Sequence, residues 1–130
     1  MTHPARLAED LKKKMPHFPF RYWVFGLFHT THIENVKGVK GLLAAAENRL
    51  IFFAKTAEKE DFCVSVHYNK IDYIEARTSG NASISCFLTD GSQMEMTLIS
   101  RGDYEKMAEF LHEKCGGSLE NNFSRKADSL

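Results

Sequence analysis

The sequence lacks any excess of charge: across 130 residues, 17 Lys and Arg face 17 Asp and Glu, for a formal net charge of zero. That argues against nucleic acid as the main partner, because neutralising phosphates normally leaves a clear basic surplus. No apolar run approaches the ~20 residues a membrane span requires. The first residues carry Glu9 and Asp10 among basic neighbours and no apolar stretch, so no signal peptide is expected. Cysteine is scarce and odd in number. Cys63, Cys86 and Cys115 are widely spaced and read as reduced, buried thiols of a cytoplasmic protein, not as a disulfide framework. In that setting the glycosylation sequons at Asn81 and Asn122 are chance matches. Signatures of chemistry are missing as well. There is no Cys-x-x-Cys, no complete phosphate-binding loop around Gly38 and Gly41, and no nucleophile in a motif with a His and a carboxylate.

What is present is apolar patterning. Apolar residues make up 43% of the chain and charged ones 26%, the balance of a single soluble domain with a genuine core. The pattern centres on residues 40–56, KGLLAAAENRLIFFAKT, which read as two short strands joined by a turn at Glu47-Asn48. Leu42, Ala44 and Ala46 share one face of the first arm, and Leu50, Phe52 and Ala54 one face of the second. The opposite faces carry Leu43 and Ala45, then Ile51 and Phe53. A hairpin apolar on both sides needs a cover on each, so its outer face must meet another part of this chain or another copy of it.

Residues 4–15 predict a helix, with Pro4 at the first position, Leu7, Leu11 and Met15 at four-residue spacing, and Lys12 to Lys14 near the end. Residues 20–28 predict a strand that is again apolar on both faces, followed by a polar linker over residues 29–39. Alternation then predicts strands over 62–68, 71–77, 83–88 and 93–98, with Asp90-Gly91 as the clearest hairpin turn. Ser100 is expected to cap a final helix, with Asp103 completing its capping box. Tyr104, Met107, Ala108, Leu111 and Cys115 form the buried stripe of that helix, Phe110 lies on its shoulder, and Gly116-Gly117 stops it. Residues 118–130 read as a flexible polar tail. The fold expected is mainly β: a seven-stranded antiparallel barrel or sandwich, capped by a C-terminal helix and preceded by a short N-terminal one.

That order resembles the pleckstrin-homology superfold, and the local texture is similar to the short bacterial pleckstrin-homology domains of the YokE-like group. The residues that carry the likeness are GLLAAAENRLIFF (41–53), similar to the family's G-x-L-x-x-T-x-x-R-L-I-F hairpin. HYNKIDYIE (67–75) is similar to its I-P-Y-x-x-I-x-x-I-E strand. Ala46 departs from the family's Thr before the turn, which removes a side-chain bond there. A GRAM-like domain shows much the same strand pattern. The resemblance implies a helical extension over 1–17, a PH-like domain over 18–117 and a tail over 118–130. It also implies a non-enzymatic module without a cofactor, often part of a homo-oligomer.

Two surfaces follow as expectations. Trp23, Phe25, Leu27, Ile51 and Phe53 form an outer apolar patch for a protein partner or a second copy, unless Leu7, Leu11 and Met15 of the first helix cover it. By the resemblance, the loop between the first two strands corresponds to the headgroup loop of eukaryotic PH domains. Lys37 and Lys40, with Arg49 in the following turn, are the candidate ligands for an anionic membrane surface, though no Arg-x-Arg pair accompanies them. His29 and His32 are three residues apart, which suits one metal ion only within a turn, and no carboxylate cluster completes a shell. Solvated loop histidines are the competing reading. Glu58, Glu60 and Asp61 read as a solvated charge run.

Overall fold

Alternation does build consecutive antiparallel strands here, and the double-sided hairpin receives two covers from within its own chain. The computed structural model describes residues 3–17, 19–32, 36–54, 62–78 and 81–119, with the backbone alone at residues 36 and 37. Helix α1 (Pro4–Lys14) leads into β1 (Phe20–Thr30), β2 (Val36–Ala46), β3 (Arg49–Ala54) and β4 (Phe62–His67). A 3-10 turn at Tyr68–Lys70 follows, then β5 (Ile71–Arg77), β6 (Ser83–Leu88), β7 (Gln93–Gly102), α2 (Tyr104–Cys115) and β8 (Gly117–Leu119). All eight strands belong to one open sheet in the order β4-β3-β2-β1-β7-β6-β5-β8. Two meanders, β1 to β4 and β5 to β7, are joined where β7 pairs antiparallel with β1.

The sheet curls around one interior. Val24 and Phe28 of β1, Leu50 and Phe52 of β3, Ile74 of β5 and Met94 and Met96 of β7 meet there with Met107, Ala108 and Leu111 of α2. Phe28 and Phe52 stack with ring centroids 3.8 Å apart. Phe110, expected on the shoulder of α2, is fully enlisted: it is buried, with Tyr22 and Tyr68 edge-on at 5.7 and 6.2 Å. Tyr104 and Cys115 are instead only half-buried.

Three expectations change. The linker is shorter than its polarity suggests, because β1 continues to Thr30 and β2 starts at Val36, paired as Phe28↔Val39 and Thr30↔Val36. Ser100 does not cap α2. The strand β7 runs on past it, pairing Phe25↔Arg101 and Val24↔Gly102, so Asp103 is the cap position. Gly102 has φ +104, and a Cβ there would run into the carbonyl of Trp23, which is why a glycine ends the strand. The seven strands gain an eighth: residues 117–119 pair parallel to β5 as β8, where a flexible tail is expected. Residues 120–130, the charge run at 58–61 and residues 79 and 80 between β5 and β6 lie outside the described residues.

The outer cover is α1. Pro4 starts it, Leu7 and Leu11 lie on one face, and Lys12 to Lys14 occupy its last turn, where cations favour the helix dipole. Leu7, Ala8 and Leu11 pack on Leu42, Ala44, Ile51 and Phe53. Burying each leucine contributes about 2 kcal/mol. Small Ala44 at the centre of this face lets the helix approach closely.

Candidate binding surfaces

The outer face is organised as cross-strand rows. Trp23 lies opposite Ala44, which lies opposite Ile51; Phe25, Leu42 and Phe53 form the next row. β2 therefore stands between the strands whose residues were expected to touch, and supplies the middle of the patch. Ile51 and Phe53 are fully buried under α1, at 0% and 1% exposure. Trp23 and Phe25 flank the cluster half-buried, with Phe20 and Met15 beside them. Leu27 lies further along β1, half-buried, opposite Lys40 on β2 and Thr97 on β7.

The basic candidates do not converge. Lys40 is exposed on β2, and the side chain of Lys37 lies outside the described residues. Arg49 follows the β2–β3 turn and sits beside His67 on β4. Six residue steps along β2 separate Lys40 from Ala46 at that turn, roughly 20 Å at 3.3 Å per step. Arg49 donates from Nη2 to His67 Nε2 at 3.0 Å and from Nη1 to Ser65 Oγ at 3.3 Å. It serves the far end of the hairpin, not the loop after β1.

Both ring nitrogens of His29 are engaged by the fold. The Gly38 N–H donates to Nδ1 at 3.0 Å, so the imidazole proton resides on Nε2, which donates to Thr97 Oγ1 at 3.1 Å. His29 is thus a bridge from β1 to β2 and β7, not a solvated loop residue. Among the described residues no three potential metal ligands converge. The cysteines divide by burial, because Cys63 is exposed where a buried thiol is expected. Burial pushes the Cys86 thiol up strongly, and pushes the Cys115 thiol up to about 11, so neither is a ready nucleophile.

The sequence reading did not anticipate a cleft of about 340 Å³ between β4, the 3-10 turn and the β6–β7 hairpin. Val66 and Leu88 contribute its apolar lining; Ser65, His67, Lys70, Thr89, Asp90 and His32 contribute the polar one. The Thr89 N–H donates to the Lys70 carbonyl at 2.9 Å, which fixes the turn against the hairpin. Asp90 Oδ1 accepts from the Ser92 N–H at 2.9 Å and from the Ser92 hydroxyl, and these bonds hold its carboxyl below the usual range. His32 Nδ1 lies 3.3 Å from Ser92 Oγ and 3.8 Å from Asp90 Oδ2.

An open antiparallel sheet of two meanders, closed over by a C-terminal helix, defines the PH-like class. The profile of the bacterial PH domain family matches residues 27–113, and the chain belongs to that family. Two solved structures share the fold. The C-terminal domain of an unknown protein from Leishmania infantum aligns with a TM-score of 0.62 at 15% identity, over 82% of this chain and 95% of that one. The PH domain of USP37 aligns with a TM-score of 0.54 at 17% identity, over 71% of this chain and 94% of that one. No curated protein matches the chain. PH domains are generally binding modules without catalysis, and no helix among the described residues is long and apolar enough to cross a membrane.

Proposed function

We propose that this chain is a non-catalytic binding and assembly module of the cytoplasm that docks a protein partner, a second copy of itself first, along the outer face of β1. One observation carries the reading: the apolar row runs past the cover that α1 provides. Ile51 and Phe53 are sealed, whereas Trp23, Phe25 and Leu27 keep part of their surface in solvent. Three cysteines outside any disulfide support the cytoplasmic placement. Light scattering on the wild type and Leu27→Asp tests the assembly. An assembled wild type and a monomeric, folded Leu27→Asp are expected; a wild type that is monomeric at every concentration overturns self-association.

The alternative, an anionic headgroup held by the loop after β1, draws on exposed Lys40 and on Lys37. The position of Arg49 weakens it, because that guanidinium is engaged at the opposite end of the hairpin. Binding of that kind weakens as salt rises, whereas apolar assembly holds or strengthens.

A further inference from the structure

We propose that the cleft between β4, the 3-10 turn and the β6–β7 hairpin is a binding site for a phosphate monoester group, separate from the β1 face and independent of assembly. Its volume of about 340 Å³ suits a small ligand or a single headgroup.

The chemistry of the lining selects an anion. Lys70 brings a fixed positive charge, and Ser65 and Thr89 bring hydroxyl donors. Arg49 can only donate, so His67 Nε2 must accept from it, and neutral His67 carries its proton on Nδ1 as a further donor. The guanidinium behind His67 adds a second positive charge to that wall. His32 supplies a second imidazole on the opposite side, beside Ser92 and Asp90. The three N–H groups of Lys70, the His67 Nδ1–H and the hydroxyls of Ser65 and Thr89 together outnumber the roughly four acceptor positions of a carboxylate. They suit a dianion with three terminal oxygens.

Asp90 is the one acidic residue of the lining, and it opposes an anion. Its Oδ1 is committed to Ser92, where it shapes the hairpin. Two fixed cations, Lys70 and Arg49, outweigh that single carboxylate. The walls are also preassembled, because the bond from Thr89 to the Lys70 carbonyl fixes their spacing before any ligand arrives.

The test is an amide-shift NMR titration of the whole chain with inorganic phosphate at low ionic strength, with sodium chloride as the control. Saturable shifts at His67, Lys70 and Thr89 are expected. Lys70→Ala should bind roughly tenfold more weakly, the effect of losing one charge-assisted contact. Asp90→Asn keeps the oxygen that caps Ser92 and removes the opposing charge, so it should bind several-fold more tightly, a gain that misfolding cannot mimic. Lys40→Ala should titrate like the wild type. Absent or non-saturable shifts, or Lys70→Ala and Asp90→Asn both titrating like the wild type, overturn the proposal. Sedimentation with phosphatidylcholine vesicles, with and without phosphatidic acid, assigns the source. Pelleting that Lys70→Ala abolishes identifies a lipid headgroup, and phosphate binding without pelleting identifies a soluble phosphate monoester.

Discussion

Tyr68 donates its hydroxyl to the carbonyl of Ala46 at 2.7 Å, tying the 3-10 turn after β4 to the end of β2. The Tyr68 N–H makes a second tie to the Asn48 carbonyl at 3.3 Å. Burial pushes the phenol far up its titration scale, so it stays a donor throughout the ordinary pH range. These two bonds, with Phe110 edge-on to the ring, set where Lys70 emerges and hence one wall of the cleft.

Replacing Tyr68 with Phe keeps the ring and strands the Ala46 carbonyl in an apolar setting. The expected loss is about 1–3 kcal/mol in urea unfolding. Because the anchor also sets the wall, phosphate binding in the cleft should weaken in the same variant. A variant as stable as the wild type would show that the bond contributes nothing net.

Leu11 lies at the centre of the outer layer, with 0% exposure. Leu11→Ala should cost about 2–5 kcal/mol through lost contact and a residual cavity. It should also loosen α1 enough to expose Ile51 and Phe53 to an apolar dye. Thermal unfolding and dye fluorescence measure the two effects; an unchanged melting temperature with no dye signal contradicts the assigned role of α1.

Glu47, at the tip of the β2–β3 turn, reaches Lys114 of α2 at 3.1 Å and Arg21 of β1 at 3.7 Å. The hydrogen bond and charge of Lys114, then the charge of Arg21, hold its carboxyl below the ordinary value of 4.5. A carboxyl depressed in the folded state stabilises above its unfolded pKa, and that contribution disappears as pH falls through the folded one. Wild type and Glu47→Gln should therefore differ in denaturant midpoint at pH 7, modestly and less so in high salt, and converge in strong acid. A gap that persists unchanged in acid would falsify the assignment.

Much of the fold could be read because strands and helices announce themselves locally. Apolar residues on both faces of residues 42–54 required two covers, and α1 and the interior shared with β5 to β7 are those covers. The Glu47-Asn48 and Asp90-Gly91 turns and the stop at Gly116 fall where backbone chemistry places them. What escaped the sequence is set by pairing over distance. Val36 to Lys40 carry little strand signal and become β2 only because β1 lies alongside. Ser100 looks like a cap, yet remains in a strand because Phe25 pairs with Arg101. The separation of Arg49 from Lys40 was implicit in the hairpin, since a turn at 47–48 sends the chain back past its own start. The cleft had no local signal: His32, the stretch from His67 to Lys70, and Asp90 lie far apart in sequence and meet only when the meanders close.

The two apolar layers differ in how much chain they need. Everything in the outer one lies between Leu7 and Phe53, whereas the inner one waits for α2 and Leu119. During synthesis from the N-terminus, the outer layer can therefore assemble while the residues that fill the interior have yet to be made. The early hairpin is then covered on one side by α1 throughout that interval, and only its inward face remains bare until the second meander and the final helix arrive.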